Sequence, residues 1–143
     1  MIAMTKEFEN GHETLTDETR QRLKDLSKSL LRLHKNLLDA AKAEYEAQNG
    51  AINGANQYLQ LVLNDAHFAW LRKLSSLVAL IDEAASIRRP ASQTEAEALI
   101  NETRRLLNFE ETDEDFNDKF QIALLTNSDA VINLNHALGF AGK

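Results

Sequence analysis

Leu23, Leu26, Leu30, Leu33 and Leu37 recur at alternating intervals of three and four residues, and Ala40 and Glu44 continue the series. That spacing puts them on one stripe of an α-helix, the seam expected of an antiparallel bundle helix. Lys24, Lys28, Arg32, Lys35, Asp39 and Glu46 fall on the other faces. The pattern predicts a first helix from about Thr16 to Gln48. Asp17 and Glu18 sit in its first turn, where carboxylates suit the helix dipole, and Asn49-Gly50 supplies the stop. Residues 1–15 show no periodicity and are expected to form a flexible arm, leaving 16–143 as a single helical-bundle domain.

A short loop over about residues 49–54 leads to a second helical region, from about Ala55 to Arg88. Leu59, Leu63, Trp70, Leu74, Leu77 and Ile81 lie close together on one wheel, so one helix as long as the first is allowed. At roughly 1.5 Å per residue, each would be about 50 Å long. Asn64-Asp65 interrupts this pattern. Neither residue favours a helix interior, and Asp65 is placed to cap a fresh helix, so a kink or break is expected there. Arg89-Pro90 closes the region, because the residue before proline resists the α conformation.

Ser92 with Glu95 three residues on fits a capping box. The third helix then carries Ala96, Leu99, Ile100, Thr103, Leu106 and Leu107 on one face. The acidic run Glu110 to Asp115 reads as a loop and a fourth helix start, with Thr112 as cap and Phe116, Phe120 and Ala123 facing inward. Asn127, Ser128 and Asp129 start a last short helix, carrying Val131, Leu134 and Leu138 and stopping at Gly139. The fold class is all-α: a four- to five-helix bundle built on a long antiparallel helical hairpin.

Composition narrows the function classes. The chain of 143 residues is 43% hydrophobic and 27% charged, which suits a globular domain rather than a disordered one. Its net charge of −6 disfavours nucleic acid, which calls for a surplus of Lys and Arg on one face. The pairs Arg20/Arg22, Arg88/Arg89 and Arg104/Arg105 are scattered, and the last two lie near expected helix ends, where cations compensate the dipole. There is no cysteine, hence no disulfide framework and no thiol chemistry. No apolar run approaches the roughly 20 residues of a membrane span, and the first residues lack a secretion-signal core. A soluble, acidic, cytoplasmic protein with neither nucleic-acid nor membrane partners is expected.

The densest cluster of unusual side chains is NDAHFAWLRKL, residues 64–74. Projected at about 100° per residue, His67, Trp70, Leu71, Leu74, Leu77, Val78 and Ile81 share one face, with Arg72, Ser76 and Glu83 nearly opposite. His34 lies near the centre of the leucine face of the first helix, flanked by Leu30, Leu37 and Ala41. An antiparallel hairpin would turn both His34 and His67 inward. A buried imidazole needs a hydrogen-bond partner or a metal, and Tyr45, Gln48, Asp82 and Glu44 are the partners available on the same two helices. His34, His67, Trp70, Tyr45 and Asp82 are therefore the candidate ligand-binding residues, and His34 and His67 the only candidate metal ligands. The expected helices carry no Glu-x-x-His pair of the ferritin-type di-iron bundles, and the chain has neither the His-x-x-x-Glu nor the His-x-x-x-His spacing of hemerythrin-like ones. No phosphate loop, calcium loop or nucleophile–base pairing is present.

Three stretches, SLLRLHKNLLDAAKAEYE, YLQLVLNDAHFAWLRKLSSLVALIDEA and FQIALLTNSDAVINLNHAL, together resemble an uncharacterised family of small bacterial all-helical proteins, over about residues 20–138. The resemblance implies a bacterial, self-contained helical domain and assigns no residue a role. The expected function is non-enzymatic, with no cofactor: binding of a partner protein or a small ligand, with a homo-oligomer as a further fit. The alternative is a mononuclear transition-metal site or a small-molecule enzyme using His34 and His67.

Overall fold

The computed structural model describes residues 14–142, and they contain helices and no strand. Helix α1 spans Asp17–Asn49. After a loop come α2, Gly54–Asn64, and a 3-10 segment, Ala66–Leu71, which leads directly into α3, Arg72–Ala84. Helices α4, Gln93–Leu107, α5, Glu114–Thr126, and α6, Ser128–Ala141, complete the chain. Most of the arm expected over residues 1–15 lies outside the described residues. Its last residue does not behave as arm: Leu15 is 4% exposed and belongs to the core, while Thr16 caps α1 by accepting a hydrogen bond from the Thr19 amide.

α1 is the axis of the bundle. The 3-10 segment and α3 return antiparallel along it, with Arg20 at Ala85, Ser27 at Asp82 and Ala41 at His67. α6 also runs antiparallel to α1, with Arg22 at Phe140 and Asn36 at Asn133. α4 closes the bundle at the start of α1, where Gln93 bonds Thr16 and Thr19. α5 packs over the later part of α1 and the 3-10 segment. The expected helical hairpin is therefore present, but its return arm is the 3-10 segment and α3. Among the described residues, the backbone of α2 runs beside that of the 3-10 segment, and the side chains of Lys42 and Arg72 reach it from α1 and α3.

The expected break at Asn64-Asp65 is real. Asp65 is extended, and its carboxylate accepts the His67 amide at 2.9 Å. The chain then enters a 3-10 segment rather than an α-helix, which changes the phase of the side chains. With three residues per turn, i and i+3 eclipse, so Phe68 stands over Leu71 and His67 over Trp70. Phe68 and Leu71 enter the core, and Phe68 is among the largest fully buried side chains. A projection at the α-helical angle leaves Phe68 off the inward face. The same phase break separates Leu59 and Leu63 from the core: they are 52% and 55% exposed, not part of the stripe with Trp70.

Two helix ends differ from expectation. α3 stops at Ala84, four residues before Arg88, because the Ser86 hydroxyl accepts the amides of Arg88 and Arg89 and draws them out of a helical ladder. α6 continues through Gly139 and ends at Ala141, with Gly142 in the left-handed region at φ 89°. Of its expected core residues, Leu134 is buried, Leu138 is half-buried and Val131 is exposed; alanines 130, 137 and 141 face inward instead. The cap of α5 is Asp113, whose carboxylate accepts the Phe116 amide, one residue after Thr112. The Ser92–Glu95 capping box forms as expected.

Of the paired arginines, Arg20, Arg22 and Arg104 serve helix ends, each across the bundle rather than on its own helix, whereas Arg89 and Arg105 pair with Glu83 and Glu102. Arg20 donates to the Ala85 and Ser86 carbonyls beyond α3 at 2.7 and 3.1 Å. Arg22 and Arg104 donate to the Phe140 and Ala141 carbonyls at the end of α6, at 2.7 and 3.1 Å. Arg72, outward-facing as projected, donates to the Leu63 carbonyl in the last turn of α2. Each contact supplies orphan carbonyls with a charged donor while tying two elements together.

Candidate functional site

The C-terminal part of α1 changes character. Through Leu37 its inward positions are leucines, but from Asp39 onward the sequence is DAAKAEYEA. Facing this stretch, α5 presents Ala123. Alanines on both sides leave the space between α1, the 3-10 segment and α5 unfilled. The result is a groove of about 530 Å³, with Ala40, Ala41, Ala43, Trp70, Ile122 and Ala123 as its apolar surface. Asp39, Glu44, His67, Lys119, Thr126 and Asn127 supply its polar groups.

Most of these polar groups are already engaged. His67 Nε2 lies 2.8 Å from the Ala41 carbonyl oxygen, so that nitrogen carries the proton and donates. The Glu44 carboxylate stands 3.8 Å from the same nitrogen. The Tyr45 and Phe68 rings pack edge-on or tilted around the imidazole and each other, with His67–Tyr45 centroids 5.6 Å apart and His67–Phe68 centroids 5.0 Å apart. The Thr126 hydroxyl donates to the Ala123 carbonyl, and the Asn127 amide donates to the Asn36 carbonyl while its oxygen caps α6. Lys119 pairs with Asp115 at 3.3 Å, on its own helix. Trp70, the single tryptophan, is held beneath the groove against Phe116, with centroids 5.9 Å apart.

The five residues expected to form a site are not gathered in one place. His67 and Trp70 line the groove. Tyr45 touches His67 from behind but is not part of the lining. Asp82 lies toward the other end of the bundle, where it accepts the Ser27 hydroxyl. His34 precedes Ala41 by two helical turns, roughly 10 Å along α1, so it does not share the groove with His67. It is half-buried, burial lowers its pKa below 6.5, and among the described residues no hydrogen bond reaches its ring. Of the partners foreseen for the histidines, Glu44 and Tyr45 are used, both by His67, while Gln48 and Asp82 are not. Among the described residues no three His, Asp or Glu side chains are grouped to hold a metal ion.

The sequence reading missed the alanines. Their signal was present as DAAKAEYEA: a run of small residues where the bundle seam should have carried leucine. A second, shallower depression of about 580 Å³ lies between the end of α3 and α4. Its surface includes Leu80, Ala84, Pro90 and Leu99, with Glu83, Arg89, Glu95 and Glu102 around it. A hydrogen bond with the Glu111 carboxyl, followed by burial and the Glu111 charge, raises the pKa of Glu102 against the pull of Arg105 and Lys73.

No helix among the described residues is long and apolar enough to cross a membrane. Comparison of the chain with protein-family models, curated proteins and solved structures finds no match.

Proposed function

We propose that this protein is a binding protein that takes a small amphipathic molecule into the alanine-walled groove beside Trp70. The observation that carries this reading is the unfilled volume itself. Interiors close-pack, and the bundle does so wherever leucine and phenylalanine meet, yet α1 and α5 oppose alanine to alanine. The volume of about 530 Å³ falls in the range of small-molecule sites, which are apolar with a few fixed polar groups. Lys119, Glu44 and the His67 imidazole are the charged and polar groups that such a ligand would meet.

Binding is favoured over catalysis because the groove's polar groups are committed to the fold. His67 Nε2, the Thr126 hydroxyl and the Asn127 amide each donate to a backbone carbonyl. They hold the walls in place and do not converge on a common point where a reacting atom would sit. The separation of His34 from His67 removes the motivation for a shared histidine site.

Trp70 makes the test direct. An aromatic sulfonate such as 1-anilinonaphthalene-8-sulfonate, titrated into the protein, should quench the single tryptophan by energy transfer and bind with one-to-one stoichiometry. Ala40→Leu with Ala123→Leu fills the groove and should weaken that binding by about tenfold or more. Unchanged binding in a folded double variant would refute the groove as the site.

A further inference from the structure

We propose that the ligand of the alanine-walled groove is a cationic amphiphile, an amine whose ammonium pairs with Glu44 while its apolar body lies against the alanines and Trp70. This inference rests on the groove reading above and adds to it the chemical class of the ligand. Glu44 occupies a position of the α1 seam. The intervals of three and four that bury Leu23, Leu26, Leu30, Leu33 and Leu37 continue through Ala40 to Glu44. A carboxylate at such a position is costly to cover with apolar side chains. Here it stays 55% exposed, in the lining of the groove.

The other charges of the groove are already balanced. Asp39 pairs with Lys35 at 3.0 Å and Lys119 with Asp115 at 3.3 Å, each one turn away on its own helix. Glu44 has no such partner. Among the described residues its one ion-pair contact is the His67 imidazole, at 3.8 Å, too long for a hydrogen bond. The Nε2 proton of that imidazole goes to the Ala41 carbonyl at 2.8 Å instead. Lys42, on the same helix, is turned to the Tyr58 ring. The helix adds to the negative potential, because Glu44 lies toward the C-terminal end of α1, the negative end of its dipole. The ends of α3 and α6 receive arginines, but the last turn of α1 carries no basic residue.

The pairing follows from donor and acceptor chemistry. A carboxylate accepts hydrogen bonds and an ammonium donates them, so an amine satisfies Glu44 and a ligand carboxylate is repelled by it. Ala40, Ala41, Ile122, Ala123 and Trp70 give the rest of the molecule an apolar surface within about 530 Å³, room for a fused-ring or short alkyl body. An aromatic sulfonate enters by its rings alone, since Lys119 is held by Asp115. Because Glu44 is half exposed, the charge preference is modest, about three- to tenfold in affinity, and weakens as salt rises.

Three probes with one fluorophore separate charge from apolar contact. Dansylcadaverine, N-hexyl dansylamide and dansyl-aminohexanoic acid end in an ammonium, a methyl and a carboxylate. Each is titrated into the full chain in low salt at about pH 8, above the ordinary histidine range, with energy transfer from the single tryptophan as the signal. The ammonium probe should bind about three- to tenfold tighter than the carboxylate probe. Glu44→Gln should bring those two to within about twofold of each other and shift the hexyl probe by less than that. Equal affinities of the two charged probes in the wild type overturn the proposal, as does a preference for the ammonium that survives Glu44→Gln. A preference for the carboxylate that Lys119→Gln abolishes overturns it too, in favour of an anionic ligand. In each of these cases the groove stands as the site if the hexyl probe binds and Ala40→Leu with Ala123→Leu weakens it. If no probe binds, or the double variant changes none of them, the groove reading falls and the ligand class with it.

Discussion

The two halves of α1 solve the same packing problem differently. Along the first half, Leu23, Leu26, Leu30, Leu33 and Leu37 are all fully buried, covered by α3 and α6. Along the second half the seam turns to alanine, the cover passes to α5 and the 3-10 segment, and the groove opens. The first half is stapled by charged donors on helix ends, from Arg20 and Arg22. The second holds an imidazole, aromatic rings and a neutral helix that few contacts secure. Stability is concentrated where side-chain volume fills the interhelix space, and binding capacity where it does not. Both follow from one choice per turn between leucine and alanine.

That contrast predicts unequal responses to substitution at the inward position of each half. Leu33→Ala in the first half removes buried methyls from a filled core and should cost about 2–5 kcal/mol in urea denaturation. Ala43→Ser, an exposed groove position in the second half, should cost less than about 0.5 kcal/mol. Equal costs would mean that the two halves are packed alike. An intermediate effect is expected from Arg22→Ala, which leaves the Phe140 carbonyl without its charged donor. A loss of about 1–2 kcal/mol, read as a lower Tm, should accompany fraying of α6.

The smallest effect concerns pH. Burial lowers the pKa of His34, so the folded protein holds that proton less tightly than the unfolded chain. Its contribution to stability is therefore fully present above 6.5, and is lost as pH falls through the unfolded value toward the folded one. Urea midpoints for the wild type should decline between about pH 7.5 and 5.5, and His34→Gln should remove part of that decline. An identical decline in the variant would assign the acid sensitivity to other groups.

Much of the fold was legible residue by residue. The interval of three and four along Leu23–Leu37 specified α1, the Ser92–Glu95 pair specified the start of α4, and Asn64-Asp65 specified the break. These signals are local: a cap or a stripe is read from side chains within one or two turns. The site was legible only in part. His67 and Trp70 were identifiable as unusual and do line the groove, but Tyr45 stands behind it and His34 and Asp82 lie elsewhere. His34 and Asp82 stand at other levels of the bundle than His67, which only the register of the hairpin decides. The misread face of the second region has its source in the break at Asp65 and the 3-10 segment after it, whose residues rotate by about 120° each rather than 100°. Six such residues shift the phase enough to bury Phe68 and to put Leu59 and Leu63 in solvent.

By itself, then, the sequence determined an all-helical chain, its principal helix stops and the leucine seam on which the bundle is built. Those features depend on backbone geometry and local caps, which a few neighbouring residues settle. Only the tertiary structure decided which arginine caps which helix and that α2 stands apart. It alone decided that the alanines late in α1 would meet Ala123 across an unfilled space. A small side chain has no effect on the helix that carries it; its consequence is the volume it leaves, and that volume exists only once another helix has been laid against it.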